Sequence, residues 1–294
     1  MTAFRSGIVA VVGRPNVGKS TLVNALVGHK VAIVSDKPQT TRQDIRAILT
    51  AEHEQIVFTD TPGFHKPRTP LGSRLNSLVS DAVEGVDITI LVVDGASGVG
   101  RGDAFVYQEQ VAQGSGRRIC VVNKIDRVEH HLVIPQLAAA GDLGTWDEIV
   151  PVSAFARTGV DALRDLITSM LPEGPALYPD GELTDQPMEV RLAELVREQA
   201  LRVTREEVPH SVAVMVEEFE VVGDLTRIFA SIVVERDSQK GILIGHGGDT
   251  LKAIGTGARH QMEDLLGTKV FLDLRVKVMK EWQRDPRALD RLGF

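Results

Sequence analysis

The chain has 294 residues, 33 Lys+Arg against 40 Asp+Glu, and a net charge of −7. That length suits about two domains, and 43% hydrophobic with 25% charged residues is the composition of a folded globular chain. Disordered, collagen-like and coiled-coil classes are excluded, and the acidic balance argues against a protein that coats nucleic acid by bulk charge. A single cysteine, Cys120, allows no intrachain disulfide, and its place in the apolar run Arg118–Val122 reads as a buried strand position. The run Gly7–Val12 is far shorter than the roughly 20 residues of a membrane span. A cytoplasmic protein with no integral membrane segment is expected.

Short runs rich in Val and Ile lie at Ile8–Val12, Gln55–Thr59, Ile88–Val93, Ile119–Val122 and Glu148–Val152. They read as strands buried on both faces of a parallel sheet. Amphipathic stretches at Ser20–Val27, Pro70–Glu84, Asp103–Gln113 and Val160–Leu171 lie between or after them, and Ile45–Thr50 offers an edge strand. Strand and helix in alternation predict a doubly wound, mostly parallel α/β domain over residues 1–172.

Pro172–Pro187 holds four prolines and two glycines and reads as an interdomain linker over residues 173–187. A smaller α+β domain follows over 188–294. Met188–Arg205 sets Leu192, Leu195, Val196, Ala200 and Val203 on one helical face. Ser211–Phe219, Arg227–Val234 and Lys269–Val278 read as strands, Asp249–Leu266 and Glu281–Arg291 as helices. The predicted order is α-β-β-α-α-β-α, with no internal repeat.

Gly13, Arg14, Pro15, Asn16, Val17, Gly18, Lys19 and Ser20 fit G-x-x-x-x-G-K-[ST], after a predicted strand and opening a predicted helix. Such a loop wraps its N–H groups round phosphates, aided by the helix dipole. Lys19 is expected on the β- and γ-phosphates and Ser20 on Mg²⁺. Asn123, Lys124, Ile125 and Asp126 then choose the base. A carboxylate at Asp126 can accept from guanine N1–H and the exocyclic amine, a donor pair that adenine lacks. Asn123 is expected to brace the loop and contact N7, Lys124 to lie over the base, and Ser153 with Ala154 to support O6. The expected ligands are GTP and GDP.

Asp60, Thr61, Pro62 and Gly63 end a predicted strand. Asp60 is placed to hold Mg²⁺ through water, and the Gly63 N–H to sense the γ-phosphate. In Gln39–Arg42 one threonine should close over the metal, Thr41 or alternatively Thr40. Both segments read as loops that order with the triphosphate. Phe64 stands where Ras-type GTPases carry a water-orienting Gln. A phenyl ring cannot hydrogen-bond water, so slow intrinsic hydrolysis is expected. Asn16 offers an amide oxygen near the phosphates that could help hold a K⁺. The catalytic candidates are thus Lys19, Thr41, Asp60, Gly63 and Asn16.

Gly245, His246, Gly247 and Gly248 form a G-x-x-G turn between two helical segments. In KH domains such a turn packs its backbone against about four nucleotides. Lys240, Gly241, Ile244, the four turn residues and Lys252 are the candidate RNA contacts.

Beyond these motifs, the whole chain resembles the Era family of GTPases. The likeness rests on Gly13–Ser20, Gln39–Arg42, Asp60–Gly63, Asn123–Asp126, His65–Pro67, Leu71–Gly72 and Leu75–Asn76. It continues in Pro209–Val214, Val234–Ile242, Gly255–Thr256, Val276–Val278, Trp282 and Arg287–Phe294. The resemblance implies a monomeric GTP-dependent factor with a type II KH domain. Such a factor binds small-subunit (16S) ribosomal RNA near its 3′ end and acts in 30S assembly. It also implies peripheral contact with the inner face of the membrane. Family members usually carry Lys in the turn, and His246 would make a weaker phosphate contact. The competing reading is a membrane-associated regulatory GTPase whose KH-like domain docks a protein. It is opposed by the lack of a lipidation motif and by the Gly-rich turn.

Residues 187–294 carry 16 Lys+Arg against 18 Asp+Glu, while the stretch from Thr268 carries 7 against 4. RNA binding is therefore expected to use a narrow basic track, stacking and base-edge contacts, with modest salt dependence.

Overall fold

Alternation along the inner strands decides the architecture of the first half. Within Ile88–Asp94, Ile88, Ile90 and Val92 enter one apolar cluster while Leu91 and Val93 enter another. A strand apolar on both faces needs a helical layer on each side. Truncating one such residue, for example Leu91→Ala, would cost about 2–5 kcal/mol.

The computed structural model describes residues 3–67, 69–204 and 208–294, and its two units divide mainly between Asp185 and Gln186. The first unit runs β1 (Arg5–Val12), α1 (Lys19–Val27), β2 (Ile45–Ala51), β3 (Glu54–Asp60), α2 (Pro70–Val83), β4 (Ile88–Asp94), α3 (Arg101–Val106), β5 (Arg117–Asn123), α4 (His130–Gly141), β6 (Glu148–Pro151) and α5 (Val160–Met170). The sheet order is β2-β3-β1-β4-β5-β6. Only β2 is antiparallel, hairpinned to β3 at the edge. The carboxyl ends of β1, β3, β4 and β5 lie side by side, with Val11 opposite Asp60 and Asp94 opposite Asn123. Ligands of doubly wound sheets bind at that edge.

Two helical elements differ from the periodicity. The stretch expected as one helix at Asp103–Gln113 is α3 followed by a π-turn, Tyr107–Val111. Helix α4 has no amphipathic signal: of its residues only Ala140 is buried, and Pro135 lies inside it. Proline in a helix interior removes one backbone bond and reads as a breaker. Here the residue is exposed to solvent.

The proline-rich segment after α5 is irregular and clings to the first unit. Gln55, wholly buried, accepts from Leu177 N–H (2.6 Å) and Tyr178 N–H (2.8 Å) and donates to Tyr178 O (2.9 Å) and Thr50 Oγ1 (3.0 Å). Ile48 N–H donates to Leu183 O at 2.9 Å, and Arg46 meets Tyr178 and Asp185. The segment is a strap along the β2–β3 edge, covering backbone that an edge strand otherwise exposes.

The second unit runs α6 (Met188–Val203), α7 (Val208–Ser211), β7 (Ala213–Val222), β8 (Leu225–Val234), α8 (Asp237–Ile244), α9 (Asp249–Leu266), β9 (Lys269–Val278) and α10 (Pro286–Arg291). Central β8 pairs antiparallel with β7 and parallel with β9. Its core gathers Leu192, Leu195, Val196 and Ala200 of α6 with Ile254, Ala258 and Met262 of α9. Val203, expected on that face, is 42% exposed at the helix end, and Arg205 lies outside the described residues. The final helix starts at Pro286 rather than Glu281. Glu281 has φ 51°, and Asp285 caps the helix by accepting from Arg287 N–H with proline in the first turn. A residue before proline is pushed away from helical backbone, so the helix cannot extend upstream.

Candidate functional site: a nucleotide pocket and a groove beside a glycine turn

The loop between β1 and α1 follows from where its glycines sit. Gly13 has φ 155° and Gly18 φ 98°, backbone that side chains rarely adopt, and a Cβ on Gly13 would lie 2.5 Å from Val92 O. Asn16 also has positive φ (64°) and is exposed. Val17 is part of the core, and its carbonyl accepts from Asn123 Nδ2 at 2.9 Å. Lys19 folds over the loop, donating to Gly13 O (3.2 Å) and Arg14 O (3.1 Å). Burial pushes its pKa down to about 8, against the pull of Asp60.

Three oxygens converge beside it. Ser20 Oγ donates to Asp60 Oδ2 at 2.6 Å, Thr41 Oγ1 donates to the same oxygen at 3.2 Å, and the two hydroxyls are 2.9 Å apart. Of the two threonines it is thus Thr41 that reaches the cluster. Asp60 is fully buried, which raises its pKa, and its Oδ1 has no hydrogen-bond partner among the described residues. Thr61 donates to Val11 O at 2.8 Å. Pro62 is buried beside it. Gly63 presses against the phosphate loop: a Cβ there would lie 2.7 Å from Pro15 Cα and N. Phe64 N–H donates to Gly13 O at 3.1 Å, and its ring stacks on Phe105 with centroids 5.5 Å apart.

The base-recognition residues form a second braced group. Asn123 spends both ends of its amide on the protein, donating to Val17 O and accepting from Ala154 N–H at 3.0 Å. Asn123 thereby ties the base loop to the phosphate loop, and the Ala154 N–H expected at O6 is engaged with it. Lys124, at φ 63°, donates to Asn16 O and to Asp94 Oδ2, both at 2.6 Å. Ile125 opens a single turn, its N–H 3.4 Å from Val152 O. Ser153 Oγ donates to Asp126 Oδ1 at 2.6 Å and accepts from Ala156 N–H at 3.0 Å. The other carboxylate oxygen, Asp126 Oδ2, faces Arg127 Nε at 4.0 Å.

Sequence reasoning passed over three supports. Asp94 anchors Lys124. Asp103, its side chain wholly buried, accepts from Arg14 Nε at 2.7 Å. His65 sits between the two metal-side loops. Its Nδ1 faces Gly63 O (3.0 Å), so that nitrogen carries the proton, and Nε2 accepts from Gln39 Nε2 (2.8 Å). Only the His65–Pro67 likeness hinted at it.

In the second unit, Gly245 (φ 74°) ends α8, and Gly247 (φ 60°) and Gly248 (φ 89°) lead into α9. Among the described residues, apart from its own chain neighbours, nothing lies within 4 Å of where a Cβ on Gly247 or Gly248 would stand, so this backbone is open to approach. A groove of about 450 Å³ runs from Gly248 along α9 and β9, lined among others by Lys252, Thr256, Arg259 and Phe271. Of the expected contacts it contains Gly248 and Lys252. Lys240, Gly241 and Ile244 sit on α8, and Ile244 packs against the core. Arg259 and Thr256 follow Lys252 at helical spacing and Phe271 lies on β9, within the Lys269–Val278 strand; none of the three is among the expected contacts.

The sheet, the phosphate loop and the base-recognition tetrapeptide define a P-loop GTPase, and the second unit defines a KH domain. Residues 8–124 match a family described as 50S ribosome-binding GTPase, and residues 207–283 match the KH domain. GTPase Era of Mycobacterium tuberculosis is 53% identical and that of Mycolicibacterium smegmatis 54% identical, each over 100% of both chains. A crystal structure of Era in complex with MgGDPNP and nucleotides 1506–1542 of 16S ribosomal RNA superposes with a TM-score of 0.96 at 38% identity, covering 99% of both chains. A single-residue variant of Aquifex aeolicus Era bound to GDP·AlF4⁻ gives 0.95 at 37% identity, with the same coverage. The chain belongs to the Era family of GTPases. Among the described residues no helix is long and apolar enough to cross a membrane.

Proposed function

We propose that this chain is a GTP-operated switch that binds 16S ribosomal RNA near its 3′ end and acts in assembly of the 30S subunit. One observation carries the reading: a guanine-nucleotide pocket and a G-x-x-G groove lined by Lys252, Arg259 and Phe271 occur in one chain. A relative alike over 99% of its length was crystallised with both ligand kinds. The family model over residues 8–124 is described by 50S binding. The full-length likeness includes the second domain and therefore weighs more.

In the proposed site, Asp126 accepts from guanine, braced by Ser153, while Asn123 ties the base loop to the phosphate loop. Loop amides from Gly13 to Gly18 and the Lys19 ammonium stabilise charge developing on the phosphates. Lys19 exchanges the Gly13 and Arg14 carbonyls for phosphate oxygens. Ser20, Thr41 and Asp60 fit a hard cation, since all are oxygen donors and the buried Asp60 Oδ1 lacks a partner among the described residues. Mg²⁺ held there supplies charge neutralisation across the β- and γ-phosphates. Gly63 N–H senses the γ-phosphate, and water attacks in line. Phe64 brings no polar group, so hydrolysis is slow unless another component supplies it. Asn16, exposed on the phosphate loop, would offer its amide oxygen to a K⁺, which would supply positive charge beside the phosphates.

RNA cross-linking and sequencing with GTP-bound against GDP-bound protein tests this function. Adducts should cluster at the 3′ end of 16S RNA and change with nucleotide. Adducts spread evenly over ribosomal RNA, or mainly to protein, would overturn it.

A further inference from the structure

Helix α3 carries none of the GTPase motifs, yet it grips two of them. Arg14 of the phosphate loop lies across Gly102, where a Cβ would stand 2.6 Å from Arg14 Cδ, and ends on the buried Asp103 carboxylate. The other oxygen of Asp103 accepts from Gly100 N–H at 3.0 Å, so the carboxylate is fixed to the start of α3. Two residues on, Phe105 stacks on Phe64, which follows Gly63 directly. The base of α3 is fixed in turn: Tyr107 OH accepts from Thr145 N–H at 2.9 Å, and Gln110 donates to Ser80 of α2 at 3.3 Å. Val106 and Val111 are fully buried.

Phe105 is 42% exposed, whereas Phe64 is 7% exposed. A half-exposed ring contributes little to folding by burial, but it covers one face of Phe64. With its amide on Gly13 O and its ring on Phe105, Phe64 is held at both ends. Gly63 is thereby set against Pro15.

We infer that α3 positions the γ-phosphate sensor: the Arg14–Asp103 pair ties α3 to the phosphate loop, and Phe105, through Phe64, holds Gly63 in register with it. This rests on reading the Gly63 N–H as the group that meets the γ-phosphate. Phe105 touches no phosphate and is a positioning residue. It gives Phe64, which cannot orient water, a mechanical part in hydrolysis.

A γ-phosphate sensor matters for GTP and not for GDP, which separates positioning from folding. In Phe105→Ala, affinity for GDPNP should fall about tenfold, as expected for loss of one aromatic pair, while GDP affinity stays within about twofold. Phe105→Tyr, which keeps the stack, should restore the GDPNP/GDP ratio. Equal weakening of both nucleotides, or no change in either, would overturn the inference. Hydrogen exchange at the Gly63 amide of the wild-type protein separates it from the underlying reading. If GDPNP protects that amide no more than GDP does, the sensor assignment itself falls. If GDPNP does protect it while Phe105→Ala leaves the GDPNP/GDP affinity ratio unchanged, only the role of α3 falls.

Discussion

Replacing Asp126 by asparagine removes the charge proposed to select guanine and leaves the side-chain shape intact. The carboxylate is held by Ser153 at 2.6 Å and is 26% exposed. Its position is thus fixed while part of its surface stays open for a base. Hydrogen bonds to a charged group contribute about 1.5–3 kcal/mol each, and partial exposure favours the lower end. Two such bonds to guanine give about 3 kcal/mol, so Asp126→Asn should weaken GTP about 150-fold. Xanthosine triphosphate carries a carbonyl in place of the exocyclic amine, and the asparagine amide can donate to it. Its affinity should rise in the same variant. Displacement of a fluorescent guanine nucleotide by each triphosphate, at fixed Mg²⁺, measures both changes. GTP affinity within about threefold of wild type would refute the assignment of Asp126.

Lys19 gives a pH signature. Its folded pKa of about 8 lies below the ordinary 10.5, so above pH 8 the folded chain releases a proton that the unfolded chain keeps. Nucleotide-free protein should gain up to about 3 kcal/mol between pH 8 and 10.5 from this group. Urea melts of wild type minus Lys19→Met should show that rise, and a flat difference refutes it. Gly247→Asp should weaken RNA about tenfold through repulsion of phosphate and leave nucleotide affinity within about twofold. Loss of both would make the turn structural. GTP hydrolysis should run faster in K⁺ than in Na⁺, with Asn16→Ala abolishing the difference; equal wild-type rates sink the K⁺ assignment. Gln55→Leu strips the acceptor from two backbone N–H groups and should lower stability by about 2–4 kcal/mol. An unchanged urea midpoint would count against the strap.

The parts of the fold that could be read from sequence are those coded locally. Asp249–Leu266 and Lys269–Val278 have the predicted bounds because the four-residue spacing of Ile254, Ala258 and Met262, and the alternation of Val270, Leu272, Leu274, Val276 and Val278, each announce themselves within one element. The phosphate loop was legible for a related reason: its glycines are required by backbone angles next to them in sequence. Helix α4 was hidden by Pro135 and by a surface without a stripe. The supports of the site were hidden because they act across the chain. Asp103 reaches Arg14 over 89 residues, and Lys124 meets Asp94 over 30. Nothing near either aspartate sets it apart from a solvated one. The groove residues Arg259 and Phe271 become neighbours only when α9 packs on β9.

The strap changes where a free-standing GTPase fragment would have to end. Cutting at residue 172, where regular structure stops, would strip Gln55 of three of its four partners and uncover the backbone of β2 at Ile48. A fragment ending there would display a bare strand margin and invite self-association between copies. The shortest fragment that keeps its own seam closed runs to Asp185, and a protease probing the native protein should find the proline-rich segment a poor target despite its loop-like composition.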